Sequence, residues 1–241
     1  MEPLDAGFNG SARSGIRRPL QRGRWLLGLL AGGFVVVVVV PFVYFHLVEG
    51  SAPPPLALPV GPGGAAGPLN GTWKVTAPSQ VEYRVKELLF GQHDTAVGRT
   101  TEVTGAIVIT GATVTSGRFR VDMASVSSGQ AGRDAQFRGY IMDTGSYPYA
   151  QLTLAKPIDL RSLPRPGQLV SEQVTASLTL RGVTRPVTFT IGAERAGPGI
   201  DVSGSIPVRF SRWHIPNPSF AVAQVGDTGT IDVLLHLVRG A

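Results

Sequence analysis

Four histidines are the side chains of this chain best suited to proton transfer near neutral pH, and their spacing argues against that use. His46, His93, His214 and His236 are scattered, and no two stand at a metal-ligand interval. His46 ends a long apolar run, and His214 beside Trp213 fits a strand or rim position better than a catalytic one. Cysteine is absent, which removes thiolate ligands, a thiol nucleophile, disulfides and a lipid anchor on Cys. No G-x-S-x-G elbow presents a serine nucleophile. The glycine-rich run at 61–67 follows no strand, opens no helix and lacks the Lys-Ser/Thr ending of a phosphate loop. No catalytic residue, metal ligand or required cofactor is therefore assigned, and an enzymatic role would need chemistry supplied by a bound cofactor.

The neighbouring charges Arg133 and Asp134 remain as a polar pair. They could face a ligand, or position a short helix by hydrogen bonds and charge pairing. Asn70-Gly71-Thr72 matches a glycosylation sequon, whereas Pro218 excludes Asn217-Pro218-Ser219.

The net charge of +6 raises the question of a nucleic-acid surface. Half of that charge sits in the first 24 residues, where Arg13, Arg17, Arg18, Arg22 and Arg24 face only Glu2 and Asp5. The remainder is spread thinly, without a basic stripe interleaved with aromatics, so nucleic acid is not an expected partner.

Residues 25–48, WLLGLLAGGFVVVVVVPFVYFHLV, carry no Lys, Arg, Asp or Glu. As a helix rising about 1.5 Å per residue they exceed the roughly 30 Å hydrocarbon core. The valine block 35–40 favours a strand in water, but lipid forces every backbone group to bond within the segment, so a transmembrane helix is expected, kinked at Pro41. The arginines before it place residues 1–24 in the cytoplasm as a basic tail and the rest of the chain outside the cell membrane. The run is longer than a signal-peptide core and no A-x-A site follows, which favours a single-pass anchor over a cleaved leader. Residues 49–70 are Pro/Gly-rich and read as an extended, solvated linker that keeps the following domain clear of the headgroups.

From residue 71 to 241 the dominant period is two. Val81, Tyr83 and Val85 alternate with Glu82, Arg84 and Lys86; Phe119, Val121 and Met123 with Arg118, Arg120 and Asp122; and Val174, Ala176, Leu178 and Leu180 with polar neighbours. Further strands are expected at 101–110, 150–157, 186–194, 199–210 and 228–238, making about eight, joined by short turns such as Thr110-Gly111, Arg181-Gly182 and Gly197-Pro198-Gly199. Between Ala131 and Met142 the alternation stops, and Phe137, Tyr140 and Ile141 take helical spacing. An all-β, antiparallel domain with one short helix follows, and the pattern fits a sandwich or a closed barrel equally.

Four segments carry a family resemblance. Residues 125–152, SVSSGQAGRDAQFRGYIMDTGSYPYAQL, hold the Arg133-Asp134 pair, the short helix and Tyr147-Pro148. Residues 178–187, LTLRGVTRPV, read as a strand, a glycine turn and a Thr-x-Pro strand entry. Trp73-Lys74-Val75 with Ser79-Gln80-Val81-Glu82-Tyr83 opens the domain, and Val208-Arg209-Phe210-Ser211-Arg212-Trp213 lies in its penultimate strand. In this order they resemble the YceI-like family. The resemblance implies a lipocalin-like antiparallel β-barrel whose apolar cavity holds a polyisoprenoid, such as a quinone or polyprenyl chain. Arg181 stands where such proteins often have His, and the segment 86–93 departs from the family's commoner His-containing form, so the choice of lipid headgroup is expected to differ.

The apolar side of the alternation and the helix supply the candidate lipid-lining residues Tyr83, Phe119, Ile141, Leu180, Phe189, Phe210 and Trp213. Each could equally be plain core, because a barrel must fill its interior. The expectation is a membrane-tethered, extracytoplasmic lipid-binding protein that sequesters or transfers an isoprenoid. The alternative is an extracytoplasmic structural, interaction or stress-protection domain whose barrel is filled by its own side chains. Oligomeric state is not legible.

Overall fold

The computed structural model describes residues 52–58, 68–89, 91–160, 168–219 and 223–240. Ten strands run β1 Gly71–Leu89, β2 Gln92–Thr100, β3 Val103–Thr110, β4 Thr113–Asp122, β5 Tyr149–Leu154, β6 Ile158–Asp159, β7 Val170–Leu180, β8 Val183–Ala196, β9 Gly199–Arg209 and β10 Ala223–Arg239. Eight of them close a ring in the order β1-β3-β4-β5-β7-β8-β9-β10, with β10 returning to β1; every pairing is antiparallel. Closure removes the edges an open sheet would expose and decides barrel over sandwich. The additional strands β2 and β6 pair with β1 and β4 respectively.

The alternating stretches become strands because one face of each can be buried against the opposite wall. Two-residue hairpins join β7 to β8 and β8 to β9, with Leu180 opposite Val183 and Ala196 opposite Gly199. Arg181 and Gly182 both take positive φ, 47° and 72°, as the type I′ turn requires. An α-helix, α1 (Ala131–Gln136), continues into a π-helical turn, Phe137–Ile141, in the one region where alternation lapses.

Several expectations are corrected. Strand β2 is absent from the sequence reading, and β1 extends well beyond the alternation seen at 81–86. The penultimate strand ends at Arg209, and Phe210–Trp213 form a 3₁₀ turn closed by His214 at φ 52°. The strand expected at 150–157 ends at Leu154. Tyr140 points to solvent, 62% exposed. The linker is not uniformly solvated: Leu69 is buried with its carbonyl on the Trp73 indole at 2.8 Å, and the Pro53 and Pro54 carbonyls accept from Arg84 and Arg99. Among the described residues no helix is long and apolar enough to cross a membrane; residues 1–24 and the span expected at 25–48 lie outside them.

Candidate functional site

Three apolar clusters line the interior. One buried cluster lies where β7 turns into β8, and contains Phe137, Leu178, Leu180, Phe189, Val208 and Trp213 among others. A second, toward the β3–β4 and β8–β9 turns, contains Leu69, Trp73, Ile109, Val114, Ile200 and Leu237. Val81, Val103 and Leu235 form a third.

Sequence-predicted residues fall unevenly into this interior. Leu180, Phe189 and Trp213 are buried in the first cluster, and Tyr83, Ile141 and Phe210 pack against it while partly exposed. Phe119 packs instead against the second and third clusters. The Trp213 side chain is fully enclosed, and its indole N–H donates to the Leu178 carbonyl at 3.2 Å, satisfying the one polar atom that burial would otherwise strand.

The inner wall is unevenly packed. Trp213 and Leu237 are 0% exposed. Val121, Leu152, Leu154, Ile191, Val202, Ile231 and Val233 point to the same inner face and remain only partly buried. On a closed sheet, inward side chains that water can still reach border unfilled space, whereas a close-packed core would bury them. Small inward residues widen that space: a Cβ built on Gly117 or Gly204 would meet Ile107, Leu154, Phe119 or Ile191 and Phe189 side chains at 3.3 Å or more.

A polar collar surrounds the end near α1. The Tyr83 ring stacks on Phe137 with centroids 5.1 Å apart and planes 13° from parallel. Burial pushes the Tyr83 phenol from 10.0 up to about 12; the Arg133 charge opposes this, and Asp134 and Glu87 add to it. Arg133 and Asp134 turn to different partners. Arg133 donates to Glu87 at 2.9 Å, tying the helix to β1. Asp134 accepts from the Ser127 hydroxyl and from both the hydroxyl and the N–H of Ser128, each at 2.7 Å. Burial works against the Asp134 charge, but these bonds and the Arg138 charge outweigh it and hold the carboxyl below its ordinary 3.8. Arg181 donates to the His214 carbonyl at 2.7 Å, linking the β7–β8 turn to the turn after β9. The Tyr147 ring lies against Gly182, where a Cβ would come within 2.6 Å of it.

Histidine chemistry gains no support from this geometry. His93 and His214 are exposed, and His236 pairs across β10 and β9 with Asp201. Among the described residues no three His, Cys, Asp or Glu side chains are placed to share a metal ion. What the three clusters can do is shelter apolar groups from water.

Sequence reasoning missed Phe137 as a wall residue, although its helical spacing was visible, and missed Trp73 and Leu237. It also missed Glu82, 1% exposed on the outward-facing register of β1, where alternation suggests a solvated side chain.

Comparison with known proteins agrees with this architecture. A family model described as a YceI-like domain matches residues 73–237. UPF0312 proteins of Vibrio campbellii and Vibrio vulnificus are 34% and 33% identical over 119 residues, 48% of this chain; the chain spans 58% of the length of these curated relatives. The fold is similar to a polyisoprenoid binding domain from Saccharophagus degradans implicated in plant cell wall breakdown (TM-score 0.57, 18% identity, 71% of this chain and 99% of that one). It is also similar to BcnA of Burkholderia cenocepacia (TM-score 0.55, 19% identity, 67% and 98%).

Proposed function

The chain belongs to the YceI-like domain family, and from that premise we propose that it is a membrane-tethered, extracytoplasmic protein that holds a polyisoprenoid chain inside its barrel. The observation that carries this reading is a closed barrel lined by three apolar clusters, with Val121, Leu152, Ile191, Val202 and Val233 on its inner wall only partly buried. Each isoprenoid CH₂ moved from water into that space contributes about 0.8 kcal/mol, so a long chain binds without polar contacts. A charged head group would stay at the rim, near the collar of Arg133, Glu87 and Arg181. The apolar run 25–48, the arginines before it and the relative's polyisoprenoid-binding description support the tether and the ligand class.

Trp73 and Trp213 sit in clusters toward opposite ends of the interior, so they report on an occupant. Titrating the purified chain, with Trp25 replaced by Phe, against a long-chain quinone should quench indole fluorescence saturably at one quinone per protein. Quenching that rises linearly without saturation, as for free collision, contradicts an internal site.

A further inference from the structure

The outer wall of the barrel carries a second arrangement, unrelated to the interior. Glu82 points outward from β1, and its side chain is 0% exposed. One carboxylate oxygen accepts from Arg84 Nη1 at 2.9 Å and the other from Arg99 Nε, across the β1–β2 pairing. Each arginine has a second nitrogen directed at the Pro-rich segment: Arg84 Nη2 donates to the Pro53 carbonyl and Arg99 Nη2 to the Pro54 carbonyl, both at 2.9 Å. The Leu58 side chain ends on β8, 3.4 Å from where a Cβ would stand on Gly192.

The chemistry is complementary. Proline has no N–H, so a run such as Pro53-Pro54-Pro55 offers carbonyl acceptors only, and guanidinium offers donors only. Glu82 holds both arginines in the orientation that presents those donors. Polyproline is stiff before it binds, so docking it costs little conformational freedom.

We infer that residues 52–58 are a strap recognised by the outer wall as an extended polyproline ligand, with Glu82, Arg84 and Arg99 as its receptor. On the membrane-tethered reading, the strap sets how far the barrel stands from the bilayer. A free linker of 22 residues would stretch to about 75 Å, whereas five steps from Val48 to Pro53 reach at most about 18 Å. A docked strap would therefore leave only those five steps of free chain between the apolar run and the barrel wall.

Because the full chain has no cysteine, spin labels can be placed uniquely at Ala57→Cys in the segment and Gln151→Cys on β5. In nanodiscs, dipolar spectroscopy should return one narrow distance. That distance should broaden in R84A/R99A, and also in P53G/P54G/P55G, which leaves the barrel untouched if the arginine variant fails to fold. The Ala57 label should also relax strongly with paramagnetic headgroups, and lose that effect in the glycine variant. A broad distribution in the unaltered background, or a narrow one that survives the glycine changes, overturns the strap. Equal headgroup relaxation in both chains overturns the standoff. A chain that fails to enter nanodiscs defeats the membrane reading alone, since the dipolar distance can still be read on the soluble fraction.

Discussion

Tyr83 on β1 and Phe137 in the π-helical turn stack face to face at 5.1 Å, fastening the short helical segment to the barrel end. The Tyr83 ring also lies close to Gly98 of β2, where an added Cβ would come within 2.3 Å of it. The absence of a side chain at 98 is what lets the ring lie flat. Gly98→Ala should therefore displace the ring and cost about 1–3 kcal/mol, read as a lower midpoint in urea with unchanged slope.

Tyr83→Phe tests the same contact from the electrostatic side. The phenol ionises near 10 in the unfolded chain and about 12 in the folded one, so the folded state binds one more proton in that window. The stability this confers is fully present below pH 10 and is lost as the pH rises through 12, an effect of roughly 2–3 kcal/mol. The Phe variant should match the parent near neutrality and lack this component above pH 10. Parallel alkaline unfolding curves for the two proteins would contradict it.

Asp134 behaves in the opposite sense. Its folded carboxyl titrates below 3.8, so its contribution is complete above the unfolded value and is lost as the pH falls through the folded one. Asp134→Ala removes the acceptor for two serine hydroxyls and the Ser128 N–H and should cost about 1–3 kcal/mol at neutral pH. The gap between parent and variant should close in acid titrations below pH 3.8 and stay constant above the ordinary carboxylate range.

Gly117 separates space from stability. A Cβ there meets only ordinary contacts, the closest being Ile107 at 3.4 Å, and glycine in a strand is itself unfavourable by about 0.5–1 kcal/mol. Gly117→Val should fold at least as stably as the parent while filling the mid-barrel, so that quinone or polyprenol uptake falls tenfold or more. Undiminished uptake would place the lipid elsewhere.

The strands that alternation revealed are those with strong contrast between faces, as at Val81-Tyr83-Val85 and Val174 to Leu180. Strand β2 was illegible because its inward positions, Ala96, Gly98 and Thr100, are small or polar, chosen by what leans on them from β1. The 3₁₀ turn at Phe210–Trp213 preserves a strand-like spacing of aromatics, and only the backbone reversal at His214 exposes the difference. Glu82 looked like a solvated residue on an outer face; its partners are Arg84 close by and Arg99, 17 residues along the chain, which no periodicity connects. The apolar inner wall was legible as a face, while how tightly each part of it packs depends on which side chains meet across the barrel.

The most direct test of the central claim is native mass spectrometry of the chain purified from a bacterial host, with organic extraction of whatever it carries. A barrel that holds a polyisoprenoid should fly with one bound lipid and release one isoprenoid species per protein on extraction. A chain that is repeatedly ligand-free, and that takes up neither added polyprenols nor quinones, would contradict the account and leave the barrel a structural domain.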